Sequence, residues 1–289
     1  LNFSPGEMEK AVVYAHDRGA KILAAINSFP PAGQTALWKR AIDDAVRFGM
    51  DAVIVADIGV AAYTASRHPD QRLHLSVQAG ASSPEAINFY CREFGVRRVV
   101  LPRILTVAEI KEIHAQIPCE IEAFIFGNIG MMAEGRCSLS AYATGHSTNM
   151  DGVCSPASHV HYMQDESGNM KSRLGEFTID CFACAEPAGY PTICKGRYDT
   201  DLRTGYYAFE EPVSLNLTPL LPELMQAGVT ALKIEGRQRS RAYVTAVVSA
   251  FRKAVDACME NRDPDISGLL ALTEGHRETQ GAFGGRKWR

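Results

Sequence analysis

Five of the chain's eight cysteines, Cys137, Cys154, Cys181, Cys184 and Cys194, fall in one stretch of residues 122–198 that breaks into Gly, Ser, Asn and Pro. Thiolates bind soft or borderline metals: zinc, copper(I), or the iron of iron–sulfur clusters. Cys154 follows Cys137 by seventeen residues, Cys181 follows by twenty-seven more, Cys184 by three and Cys194 by ten. Cys181-x-x-Cys184 alone is a metal or redox motif of moderate specificity. No second CxxC stands at zinc-ribbon spacing, and His146, His159 and His161 make no zinc-finger pair with it. Widely spaced thiolates in a long insertion suit a cluster better than a zinc knuckle. Zinc and unligated redox thiols stay open as alternatives. Cys91, Cys119 and Cys258 lie in apolar or helical surroundings and read as small buried hydrophobes.

The flanking segments alternate short apolar runs with amphipathic ones. Ser4-Pro5-Gly6-Glu7 is a capping box with proline at N1, opening a helix to about Arg18. Thr106 to Glu109 is a second box, and Ser83-Pro84 caps a helix to Phe94. Strand starts fall near residues 21, 52, 73, 98 and 120, about one βα unit each. The strands are apolar with little alternation, as when both faces are covered. Residues 214–226 read as helical, 230–234 as a strand and 241–260 as a long helix.

This succession predicts an α/β protein built on a parallel sheet. A TIM-like (β/α) barrel fits best, complete or lacking its first strand–helix unit, and an open doubly wound sheet is the alternative. One domain over 1–289 is expected, with 127–212 as a cysteine-rich, cluster-binding insertion and 261–289 as a C-terminal tail. Ligands in either fold bind at the carboxyl ends of the strands. Those ends carry Asn27, Asp57, Gln78, Arg103, Glu122 and Glu235. Lys195-Gly196-Arg197 and Lys233-x-Glu235-Gly236-Arg237 group cations with a carboxylate and could hold an acidic substrate. Candidate substrate-binding residues are therefore Arg103, Glu122, Glu235 and Arg237.

Composition removes several classes. A net charge of −3 gives no general electrostatic reason to expect nucleic acid. No apolar run reaches the roughly 18 residues of a membrane span, and residues 1–20 carry charges throughout, unlike a signal peptide. Sparse cysteines without a signal point to a reducing compartment, the cytoplasm. Gly127, Gly130 and Gly135 make no dinucleotide fingerprint, and no GxSxG marks a serine hydrolase.

Glu122-x-Phe124-x-Phe126-Gly127, running to Glu134-Gly135-Arg136-Cys137-x-Leu139-Ser140, resembles the signature of the collagenase-like peptidase family. Further matches are Val99 to Arg103, Cys154-Ser155-Pro156-Ala157, Ala188 to Tyr198, Glu211 to Asn216 and Lys233 to Ser240, nearly the whole chain. Within the family they are most similar to the UbiU type, which acts in anaerobic ubiquinone biosynthesis. The resemblance implies a TIM-barrel-like fold and a 4Fe–4S cluster on four cysteines. It further implies a heterodimer with a UbiV-like sister subunit and hydroxylation of a ubiquinone precursor without dioxygen, a prephenate-like small molecule giving the oxygen. Other relatives hydroxylate bases in transfer or ribosomal RNA, and the family name implies a peptidase. Family members open with a strand carrying Pro-Ala-Gly, and this chain starts after it.

The family's ligands map onto Cys137, Cys154 and Cys194, but the first falls on Gly130, which has no side chain. Cys181 and Cys184 are extra, and Cys184, nearer Cys194 in sequence, is the expected replacement. A three-cysteine cluster with an open iron, or no cluster, are the alternatives.

Overall fold

The structure is a computed structural model describing residues 3–236, 239–263 and 268–285. In chain order the elements are α1 (Pro5–His16), β1 (Leu23–Ile26), α2 (Thr35–Arg47), β2 (Ala52–Val55), α3 (Ile58–Arg67), β3 (Leu73–Leu75), α4 (Pro84–Phe94), β4 (Arg98–Val100), α5 (Val107–His114) and β5 (Glu120–Asn128). Then come α6 (Ser138–Thr144), α7 (Thr148–Asp151), β6 (Val160–Gln164), β7 (Met170–Leu174), β8 (Phe177–Phe182), β9 (Arg197–Tyr198), β10 (Tyr206–Tyr207) and β11 (Ser214–Asn216). The chain closes with α8 (Leu221–Gln226), β12 (Val229–Ile234), α9 (Arg241–Met259) and β13 (Glu278–Thr279). It divides into two compact units where the sequence suggests one domain: Leu1–Phe124 with Pro222–Lys233 and Ala282–Arg289, and Ile125–Leu221 with Ile234–Gly281.

In the first unit β1 to β5 lie side by side in sequence order, every neighbouring pair parallel. Right-handed crossovers that always step the same way put their helices on one face, which is barrel winding; a doubly wound sheet reverses direction at a switch point. Among the described residues β1 pairs only with β2, so the ring is not closed. Both expected capping boxes form. Ser4 and Glu7 exchange hydrogen bonds at the start of α1, as do Thr106 and Glu109 at α5. Val53, Val55, Leu73, Leu75, Val99, Ile121 and Ala123, alternating along their strands, are buried with Ile42, Val60, Ile87 and Ile110 of the helices. The opposite face of β3 to β5 carries His74, Arg98, Glu120, Glu122 and Phe124.

The second unit departs further from expectation. Ser214–Asn216 is a strand, not the start of a helix; β11 pairs antiparallel with the end of β5 and parallel with β13. The six residues between Pro212 and Pro219 are too few to show a period, so pattern alone cannot separate strand from helix. The 127–212 stretch is also less irregular than its composition suggests. β6, β7 and β8 form an antiparallel sheet burying Leu174, Ile179 and Phe182, and β9 and β10 form a hairpin. Helix α3, where the sequence suggested no element, begins just after the expected strand-end residue Asp57. The Asp57 carboxylate accepts from Val60 N at 2.9 Å as an N-cap, so it serves the fold.

Candidate metal centre and substrate site

Cys137 caps α6, its Sγ accepting from Ser140 N at 3.5 Å with Ser140 Oγ at 3.3 Å. Cys154 lies in the loop after α7, and Cys194 in a single 3₁₀ turn over Ile193–Lys195. Separated by seventeen and forty residues, the three thiols nevertheless sit within electrostatic reach of one another. Burial pushes the Cys154 thiol up; Cys137 and Glu235 push it the same way, against a hydrogen bond with Ser155. Burial likewise drives Cys194 up to about 12, with Glu210, Cys154 and Cys137 adding to it and Lys195 opposing. Such thiols stay protonated at neutral pH until a cation compensates their charge.

Two glycines make room here. At Gly127 φ is +132°, and a Cβ would come 2.7 Å from that of Glu235, so β5 and the end of β12 approach as only glycine permits. At Gly196 a Cβ would meet Ile179 O at 2.5 Å.

The cations expected to receive an acidic substrate are engaged within the fold. Lys195 is buried and donates to Glu274 Oε2 at 2.6 Å and Val213 O at 2.8 Å. Arg197 Nε donates to Asp180 Oδ1 at 2.5 Å and pairs with Glu186. Glu235 stands by the thiol group, Arg239 pairs with Glu274, and Arg237 lies outside the described residues. Glu210, which the sequence did not single out, is a further carboxyl close to Cys194, raised by burial against the pull of Lys195. Only its place just before the Glu211-Pro212 match hinted at it.

Cys184 sits elsewhere in this unit. Its backbone N–H donates to Asn169 Oδ1 at 3.2 Å, and its Sγ rests beside Gly168, at the β6–β7 turn. Cys181 stands opposite Lys171 in the β7–β8 register; both thiols are exposed. A Cβ added at Gly130 would meet Asn128 Nδ2 at 3.8 Å, an ordinary contact. Among the described residues no three His, Cys, Asp or Glu stand close enough to grip one ion.

The first unit holds a different kind of site. Glu122, buried, accepts from Lys233 Nζ at 2.8 Å and pairs with Arg98 at 3.4 Å. Glu120 is bonded by Arg72 at 2.6 Å and Arg98 at 2.8 Å. Burial raises the Glu120 carboxyl, but those two arginines outweigh it and hold it low. The Arg103 guanidinium lies 3.6 Å over the Phe124 ring, with Lys233 Nζ 5.8 Å from it. At neighbouring strand ends Asn27 donates to Ser76 at 3.0 Å, and Gln78 Oε1 is buried with no hydrogen-bond partner among the described residues. Arg103 and Glu122 thus belong to one constellation. Phe124 and Lys233 are what join them.

A model of peptidase family U32 matches residues 1–284. The chain belongs to that family. It is 30% identical to tRNA hydroxylation protein P of Escherichia coli (strain K12), over 94% of this chain and 63% of the relative. To the 23S rRNA 5-hydroxycytidine C2501 synthase of the same strain it is 29% identical, over 89% of this chain and 34% of that one. The chain therefore spans less than two thirds of these relatives. A solved U32 peptidase structure aligns with 42% of this chain and 52% of its own at 23% identity, with a TM-score of 0.37. These relatives are named for RNA hydroxylation, not for the ubiquinone pathway that the sequence motifs suggested. No described helix is long and apolar enough to cross a membrane.

Proposed function

We propose that this chain is an iron–sulfur protein of dioxygen-independent hydroxylation, its cluster held by Cys137, Cys154 and Cys194. The observation that carries this reading is the gathering of three thiols, distant in sequence, into one mutually interacting group. When bound, a 4Fe–4S cluster would supply electron transfer or a Lewis-acidic iron. The protein's own contribution is to keep the thiols largely out of water, position Glu235 and Glu210 beside them, and bind an acidic small molecule at the charged face of β3 to β5. There Arg103 and Lys233 would pair with carboxylates of a prephenate-like oxygen source, while Glu122 fixes the lysine. The one-directional βα winding suits a (β/α) barrel for this chemistry.

The long motifs shared with the UbiU type favour a ubiquinone precursor as the ring hydroxylated, in the cytoplasm and with a UbiV-like sister subunit. The named relatives favour a second reading, an RNA base. One experiment separates them: delete the gene in its host, grow without oxygen, and measure quinone intermediates and hydroxylated nucleosides by mass spectrometry. Loss of the hydroxylated quinone, restored by this chain and not by its Cys154→Ser variant, supports the first. Loss of a hydroxynucleoside alone transfers the assignment to RNA. With both products unchanged, hydroxylation is the wrong activity.

A further inference from the structure

We propose that Cys91 and Cys119 of the first unit form a dithiol oxidation site, which a peroxide converts into a reversible disulfide tying α4 to the start of β5. The inference is independent of the metal centre and of the substrate hydroxylated. Cys119 follows Cys91 by 28 residues, yet the two thiols hydrogen-bond one another. Two anchors hold them there. Asn88, one turn before Cys91 on α4, donates from Nδ2 to Gln116 O at 2.9 Å. Beyond Cys119, Glu120 N–H donates to Arg97 O at 3.0 Å, where the β4–β5 ladder begins. Pro118, between the anchors, has a fixed φ and narrows the path of the chain into Cys119. Sulfurs already in contact have little distance to close to the S–S bond length of about 2.05 Å.

The two thiols differ in the way such chemistry needs. Cys91 is half-buried and Cys119 buried. The hydrogen bond from Cys119, helped by the Arg97 guanidinium, lowers the Cys91 thiol against the effect of burial, while the Cys119 thiol is raised. The reachable, more acidic sulfur is the nucleophile. The Cys91 thiolate attacks one oxygen of hydrogen peroxide; the O–O bond breaks, hydroxide leaves, and Cys91 becomes a sulfenic acid. The Cys119 sulfur then attacks the Cys91 sulfur. The S–S bond forms, the S–O bond breaks, and the departing oxygen and the hydroxide leave as water with the two protons of the thiols. The dithiol loses two electrons and the peroxide gains them.

The test exposes the full chain, purified without oxygen, to a small excess of hydrogen peroxide, blocks the remaining thiols with iodoacetamide, and maps the cysteines by mass spectrometry without reductant. The expected product is a peptide pair linked through Cys91 and Cys119, which dithiothreitol returns to free thiols. In Cys119→Ser, Cys91 should stop at the sulfenic acid and be labelled by dimedone; in Cys91→Ser, Cys119 should stay a free thiol. The linked protein should also melt above the reduced one, since a bond that fits the native fold chiefly restricts the unfolded chain. The inference is overturned if Cys91 and Cys119 remain free thiols in wild type. It is equally overturned if the link lowers the melting midpoint, because the bond would then form only in a distorted chain. Both deciding readings are made on wild type, so a variant that misfolds leaves the test intact.

Discussion

Glu122 in the first unit is buried between Lys233 and Arg98, while Cys154 and Cys194 in the second are half-buried, within electrostatic reach of each other and of carboxylates. Both regions remove ionisable groups from water, at a cost of several kcal/mol per charge if nothing compensates. On the charged face the compensation comes from the protein: Arg72, Arg98 and Lys233 are matched by Glu120 and Glu122. In the thiol pocket the neighbours are mostly of the sign that opposes ionisation, and the nearest cation, Lys195, is committed to Glu274. One region is electrostatically complete on folding. In the other, burial and like-charged neighbours keep the Cys154 and Cys194 thiols protonated.

The largest effect should come from breaking the complete region. Glu122→Ala leaves Lys233 without its carboxylate and Arg98 with Glu120 alone, and should cost about 3–5 kcal/mol of unfolding free energy, read from urea denaturation. A loss under about 1 kcal/mol would show that the pairs of the first unit are not its support.

Next is a pH dependence confined to the first unit. His74 is buried, its Nε2 accepts from Arg72 Nε at 3.0 Å, and its Nδ1 has no partner among the described residues. Burial, with Arg98 and Arg72 adding, lowers its pKa from 6.5 to about 4. The unfolded chain therefore takes up the proton first. The stability this neutral ring contributes is whole above pH 6.5 and is lost as pH falls toward 4; at 1.36 kcal/mol per unit it amounts to about 3 kcal/mol. Unfolding followed between pH 7 and 4 should show that slope in wild type and a flatter one in His74→Gln; equal slopes would remove His74 from the account.

These two residues also mark what the sequence could and could not disclose. The βα succession was legible because capping boxes and apolar runs are local signals: strands expected near 52, 73, 98 and 120 begin at those residues. The proposed cysteine trio comes from motif resemblance alone, since nothing in intervals of seventeen and forty residues dictates that thiols meet. Glu210 and the Phe124–Arg103 stack were not legible, because a lone carboxylate or aromatic carries no period and its partner lies far away in sequence. β11 was misread because prolines bracket six residues that suit a strand or the start of a helix equally well.

A smaller effect sharpens the contrast inside the second unit. Cys181 and Cys184 are exposed, whereas burial and like-charged neighbours hold Cys194 up near 12. Iodoacetamide at pH 8 should modify the metal-free chain at Cys181 and Cys184 at least about tenfold faster than at Cys194, since the thiolate is the nucleophile. Peptide mass spectrometry resolves the sites, and equal rates would mean that the pocket is open.

The most direct measurement of the central claim is iron and acid-labile sulfide in anaerobically purified protein, wild type beside Cys154→Ser and Cys181→Ser. The account predicts about four irons in wild type and in Cys181→Ser, and an at least roughly fivefold loss in Cys154→Ser, whose thiol sits within the trio. A wild type without iron, or a Cys154→Ser protein that loads fully, would contradict it.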